Sequence, residues 1–292
     1  SSFIPNRHDT GDKQLSNRFN NAVITNGDEN EYKTVIDIIF QQDEVARFIC
    51  RKLYRWFVHA DINSDVEMNI IEPMSQLLIA SNYDIQPALM GLLSSEHFYD
   101  ESVRGCMITH PIDYLFKMVN TFELALPTNL FEEYNVLRKL FTTIEPLEMV
   151  MYYHPNVAGW KAFYQAPQFY KTWINAVTLP IRMDFSDKIT NGYNFAGFHI
   201  QLNVLDFAAS LDNPADPNDL INEMASILFA QPLTLEQVDA LKDILIPGLP
   251  DFEWNVEYSD YISGNVALEP AIENQLQALI KTMLKMPEFY LI

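Results

Sequence analysis

Apolar residues recur at helical intervals along almost the whole chain. From Thr34 the positions Val35, Ile38 and Ile39 lie three and four residues apart, and a second run follows at Val45, Phe48, Ile49, Leu53, Trp56 and Phe57. The second run predicts a strongly amphipathic helix with that set as its buried face. Its opposite face carries Asp43, Arg47, Arg51 and Arg55 at four-residue steps, beside Lys52. Such a basic stripe suits an anionic ligand, but each guanidinium offers five donors and the protein is rich in acid, so pairing with carboxylates of neighbouring helices is the expectation.

The same period predicts a helix over residues 66–80, entered through Ser64 or Asp65, and another with Pro87 in its first turn that runs to the segment Glu96-His97-Phe98-Tyr99. Further helices are expected over Pro111 to Phe122, with Ile112, Leu115, Phe116, Val119 and Phe122 inward, and over Leu130 to Phe141. Between Tyr152 and Arg182 the period breaks. Two of the four Trp stand in this stretch with several Tyr, and Pro155, Gly159, Pro167 and Pro180 impose turns, so it reads as a rigid corner around which the helices are organised. After the corner, Trp173, Ile174, Val177 and Leu179 predict a helical face that Pro180 stops.

Helix signals are sharpest near the C-terminus. Asp216-Pro217-Asn218-Asp219 supplies an N-cap, Pro at the first helical position and an acid in the first turn. Thr234-Leu235-Glu236-Gln237 is a capping box, with Leu233 and Val238 placed as a hydrophobic staple and Pro247-Gly248 beyond the end. Phe252, Trp254, Val256 and Tyr258 alternate as in a strand, yet Trp254, Tyr258, Tyr261 and Ile262 also fit a helix, which the helical context favours. The last helix, about Glu269 to Lys285, runs into Met286-Pro287-Glu288-Phe289-Tyr290, which echoes the earlier ending at Phe98-Tyr99 as a weak internal repeat.

Composition narrows the class. Of 292 residues, 48% are hydrophobic and 13% aromatic, too many for a disordered protein, and only nine Gly argue against an all-β fold. The expectation is an all-α, irregular multi-helix bundle around the corner. No apolar run reaches the ~18 residues of a membrane span, so no membrane insertion is expected. A net charge of −20 disfavours nucleic acid and anionic membranes, either of which calls for a concentrated basic face. Acid is uneven: residues 1–190 carry 24 acidic and 16 basic side chains, residues 191–292 carry 15 and 3. That shift divides the sequence into a helical part, 1–190, and an acidic helical segment, 191–292, packed on it. Cys50 and Cys106 lie in apolar helical patterns without metal-ligand spacing and read as buried thiols.

Candidate chemistry is sparse. His8-Asp9-Thr10-Gly11-Asp12-Lys13 offers His, Asp and Lys for acid/base or metal work, and equally reads as a turn with Asx hydrogen bonds. The loop Asp212 to Asp219 fails as a calcium loop, because Pro217 stands where such a loop needs Gly. There is no Gly-rich phosphate loop, no GxSxG, no HExxH and no Cys/His cluster, so no catalytic residue, metal or cofactor is assigned.

The order of features resembles the large bacterial family known as domain of unknown function 1800. The matching pieces are His8 to Lys13, then Arg47 to Leu53 with Phe57-Val58, then His154-Pro155-Asn156-Val157-Ala158-Gly159-Trp160, then Trp173-Ile174-Asn175 and Arg182, together covering residues 5–185. The last hundred residues are similar to the helical tail of Bacteroidetes members. Family members are usually longer and carry upstream an acidic Asn-Glu-Asn motif and an Arg-Glu pair that are absent here, so the resemblance implies a C-terminal part of a family domain. It also implies a secreted or periplasmic location, and no established activity. Its motifs put His8, Asp9, His154, Asn156, Trp160, Trp173 and Arg182 forward as candidate binding residues.

Two functions compete. One is a helical envelope or secreted protein that binds a protein or glycan partner through exposed aromatics of the corner. The alternative is a hydrolase, using His8, Asp9 and His154, whose site is completed by a missing upstream half. Against the platform role, Trp160 and Trp173 are the kind of residue that anchors a core. The fold expectation has a direct check: circular dichroism should be dominated by helix, and a spectrum dominated by β-sheet would overturn both the fold and the resemblance.

Overall fold

The computed structural model describes residues 3–25, 27–153, 171–195 and 197–292. Helix dominates them, and strands are confined to two antiparallel pairs: β1 (Lys13–Gln14) with β2 (Val23–Ile24), and β3 (Tyr193–Phe195) with β4 (Phe198–Ile200). The protein is therefore all-α in class, as its periodicity predicts. It separates after Val103 into two compact units, each with its own apolar cluster. The shift in charge near residue 190 falls inside the second unit.

The first unit is built on α1 (Glu31–Phe40), α2 (Asp43–Phe57), α3 (Ser64–Val66), α4 (Glu72–Ala80) and α5 (Ile85–Leu93). Its cluster is centred on Ala46, Cys50 and Tyr54, four-residue steps along α2, and on Val58 just past its end, packed with Ile71, Met74, Leu78 and Leu92. This differs from the face that hydrophobicity alone selects. Phe48 and Trp56, expected inward, are 55% and 59% exposed. The charged flank explains the rotation: Arg47 pairs with Glu72 at 2.6 Å, and Arg51 pairs with Glu67 at 2.6 Å and with Glu44 at 2.5 Å. Arg55 donates to the Ala60 carbonyl at 3.3 Å. Those pairs turn the arginine stripe toward the helix opposite, and small Ala46 and Cys50 then face α4. Burial pushes the Cys50 thiol up to about 11.

The helix over residues 64–80 is capped by Asn63, whose Oδ1 accepts from the Val66 N–H at 2.9 Å. Between α3 and α4 it widens into a π-turn, Glu67–Ile71, in which the Glu72 N–H reaches back five residues to the Glu67 carbonyl. Pro73 follows at once. A proline ring inside a helix removes one donor and clashes with the carbonyl four residues before it, and a wider turn relieves that clash.

The second unit contains α6 (Pro111–Thr121), α7 (Leu130–Thr143), α8 (Thr178–Asn191), α9 (Val204–Ala209), α10 (Pro217–Leu228), α11 (Leu235–Leu245), α12 (Asp251–Ile262) and α13 (Glu269–Met283). Its caps match the sequence: Asp216 accepts from Asn218 and Asp219, and the Thr234–Gln237 capping box is closed in both directions. Residues 251–262 settle as helix because Trp254 and Tyr258, four apart, are both buried, while Phe252 and Val256 face solvent. The Trp254 indole N–H donates to the Pro214 carbonyl at 2.8 Å. Pro180 departs from expectation. It lies in the first turn of α8, where no intrahelical N–H is required, so it opens that helix and does not end one.

The rotation of α2 has a measurable consequence. Ala46→Leu should destabilise the protein by about 1 to 3 kcal/mol through overpacking. Phe48→Ala, on the exposed face, should change it by less than about 0.5 kcal/mol. Urea unfolding of the two variants decides between the faces, and the reverse order would restore the hydrophobicity-based one.

Candidate functional site

Two clusters hold the described candidate residues. In the first unit, His8 and Asp9 belong to a loop fastened to the start of α1. Glu31, the first residue of that helix, accepts from Lys13 Nζ and from the Gly27 N–H, each at 3.1 Å, and its Oε2 lies 3.1 Å from His8 Nε2. Partial burial pushes the Glu31 carboxyl up, but the Lys13 and Gly27 hydrogen bonds and the nearby charges of Lys13 and His8 hold it below its ordinary value. Asp9 is spent locally: its Oδ1 accepts from the Gly11 N–H at 2.9 Å, and its carbonyl accepts from Lys13 Nζ at 2.7 Å. The loop is thus an Asx turn plus a carboxylate hub. Among the described residues no group of His, Cys, Asp and Glu is placed to hold a metal.

In the second unit, Trp173 and Arg182 come together. Both are buried, Arg182 completely. Its Nη2 donates to the Thr109 carbonyl at 2.9 Å and to the Trp173 carbonyl at 3.4 Å, and its Nη1 donates to Thr109 Oγ1 at 3.2 Å. The guanidinium carbon lies 4.8 Å from the Tyr114 ring centre and 5.7 Å from that of Tyr290. Among the described residues it forms no ion pair, and its Nε and the Tyr290 hydroxyl have no hydrogen-bond partner. Burial pulls the guanidinium down to about 10, with the two tyrosines acting the other way, and pushes the Tyr290 phenol up to about 12. Tyr114 donates to the Arg182 carbonyl at 2.6 Å and shares a 2.8 Å hydrogen bond with Ser186.

This cluster gathers three segments. Thr109 receives the last residues through its N–H to the Tyr290 carbonyl at 2.8 Å, flanked by reciprocal bonds between Met107 and Ile292. Lys117, on α6, adds a second cation: its Nζ donates to the Phe289 carbonyl at 3.3 Å and sits 4.6 Å from the Phe289 ring centre. Desolvation lowers it to about 8. Chemically the arrangement grips the Phe289-Tyr290 pair from both sides. Arg182 is closed to solvent and acts on the protein's own carbonyls and rings.

A family model described as "Protein of unknown function (DUF1800)" matches residues 1–291. The protein belongs to the DUF1800 family. That match includes the acidic last hundred residues as well as the motifs near residues 8, 50 and 182. No curated protein and no solved structure matches this DUF1800 member.

His154, Asn156 and Trp160 lie outside the described residues, as does the aromatic run between Phe163 and Tyr170. Sequence reasoning missed Glu31, Thr109, Tyr114, Lys117 and Tyr290. Glu31 carried a signal, an acid at a helix start after Asn-Gly, and Tyr290 carried another in the repeated Phe-Tyr ending. Tyr114 and Lys117 gave none.

Lys117 yields a pH test. Its proton is bound more weakly in the folded state, at about 8, than at its ordinary 10.5, so the charged amine opposes folding below pH 8. That penalty fades as pH rises through 8, because the unfolded state then binds more protons. Stability relative to Lys117→Met should therefore climb from pH 7.5 to about pH 9.5. A flat difference between the two chemical-unfolding profiles would show that the amine is solvated.

Proposed function

We propose that this protein is a helical, partner-binding protein of the cell envelope or exterior that engages a protein or a glycan. One observation carries the reading. Between residues 130 and 153 the second unit presents Leu130, Phe131, Tyr134, Tyr152 and Tyr153 to solvent, with Phe141 and Met151 partly so. Tyr152 and Tyr153, which open the aromatic corner, are 95% and 74% exposed, and Tyr152 holds a left-handed backbone, φ 61°. A non-glycine residue in that region costs about 1 to 3 kcal/mol. Exposed tyrosines combine a broad apolar ring with a polar tip and few torsions to freeze, which suits stacking on a sugar face or filling a protein pocket. Exposed apolar surface marks interaction sites where it is contiguous, as at the adjacent Tyr152 and Tyr153.

Trp173, buried and bound into the Arg182 cluster, supports the division of the corner into a displayed entrance and an anchored exit. The location rests on the family resemblance. The hydrolase reading has the His8–Glu31 contact in its favour, an imidazole against a carboxylate, but Asp9 is occupied by its own turn. The binding reading is therefore preferred.

A Tyr152→Ala/Tyr153→Ala double variant should melt within a degree or two of the parent, since both rings are exposed. The parent should bind on a glycan array or yield one discrete photo-crosslinked protein from a probe at position 153 in the producing cell, and the double variant should lose that signal. Absence of both signals in the parent, or their survival in the variant, would overturn the proposal.

A further inference from the structure

The junction between α8 and β3 brings together what an asparagine needs to lose its side-chain amide. Asn191 is the exposed last residue of α8, and Gly192 follows it. Gly192 is enforced by its surroundings: its φ is +79°, and a Cβ there would meet His199 Nε2 at 2.5 Å. The backbone nitrogen that must attack therefore belongs to the residue type that shields it least. The Gly192 N–H also donates to no described residue, although it follows directly on a helix.

The amide is polarised as well. Lys281 Nζ, on α13, donates to Asn191 Oδ1 at 2.8 Å. Just beyond the end of α13, Lys285 pairs with Asp187 of α8 at 2.5 Å, so an ion pair also joins the two segments beside the first lysine. A positioned ammonium on a carbonyl oxygen stabilises the oxyanion that develops when a nucleophile adds to the carbon.

We propose that Asn191–Gly192 is a self-modification site, at which Asn191 is converted through a succinimide to aspartate or isoaspartate. Gly192 N gives up its proton and bonds to Asn191 Cγ, and the bond from Cγ to Nδ2 breaks with release of ammonia. Water then opens the five-membered ring at either carbonyl, so the net change is amide plus water to carboxylate plus ammonium. The product places a carboxylate opposite Lys281. Opening toward isoaspartate adds one backbone atom between α8 and the β3–β4 hairpin.

A second Asn-Gly pair in the sequence, Asn26–Gly27, serves as an internal comparison. There the Gly27 N–H is engaged by Glu31 Oε2 at 3.1 Å, which ties down the attacking nitrogen. The full-length protein would be incubated at mildly alkaline pH and 37 °C, digested, and both Asn-Gly peptides followed by mass spectrometry with isoaspartate-selective cleavage. Asn191 should convert several-fold faster than Asn26. Lys281→Met should slow Asn191 roughly tenfold, the effect of losing one charge-assisted hydrogen bond to the oxyanion, while Lys281→Arg should keep most of the rate. Equal rates at the two pairs, or an unchanged rate in a Lys281→Met variant that melts like the parent, would overturn the assignment. So would a stable cross-link between residues 191 and 281, since that would make the lysine the nucleophile.

Discussion

A guanidinium with no carboxylate beside it among the described residues ties together three segments of the second unit. Taking a cation out of water costs several kcal/mol, and the usual remedy is an acidic partner, whose own desolvation adds to the cost. Arg182 uses a different solution. Two backbone carbonyls, one hydroxyl and the faces of two tyrosines surround it, and each of these groups already had a reason to be buried. A desolvated cation–π contact is worth about 2 kcal/mol, and the arginine donates to the Thr109 carbonyl and, together with Thr178 Oγ1, to the Trp173 carbonyl. The same groups fix Thr109, Trp173 and Tyr290, so satisfying the charge and joining the three segments are one physical event.

Lys117 follows the same rule with a weaker result. An ammonium offers no flat face and no fixed fork, so it holds Phe289 through one carbonyl and one ring. Its proton affinity falls where that of Arg182 remains ample. In a protein with 39 acidic residues, the absence of a carboxylate beside either cation among the described residues shows where the acid is: on solvated faces, in caps, and in exposed pairs such as Lys188–Asp184. The surplus of negative charge belongs to the surface and leaves the interior chemistry to neutral dipoles.

How far the sequence discloses this depends on whether the signal is local. The caps at Asp216 and Thr234 need only three or four neighbouring residues, and both appear where the sequence puts them. The rotation of α2 was hidden because it depends on Glu67 and Glu72, which reach Arg51 and Arg47 from another helix. Hydrophobicity favoured Phe48 and Trp56, and the ion pairs together with two small residues favoured the opposite face. Pro180 shows a related ambiguity, since one residue type ends a helix or begins one, and here Asn175, whose Oδ1 accepts from the Val177 and Thr178 N–H groups, stands at the start of the helix. The Arg182 cluster was legible at one end alone: the arginine stood out in a motif, while Tyr114 lay off the apolar face expected for α6.

Fold class adds little to function in this family, because a helical scaffold is compatible with many activities and the site must carry the argument. The two candidate clusters are alike in that respect. The loop at His8 and Asp9 consumes its polar atoms in its own turn and in Glu31, and the Arg182 cluster consumes its atoms in holding the last residues. Both are inward-facing uses of groups that elsewhere do chemistry. Tyr152 and Tyr153 instead face outward, and Tyr152 holds a left-handed backbone. The proposal that this protein binds a partner therefore rests on those displayed tyrosines and on neither inward-facing cluster.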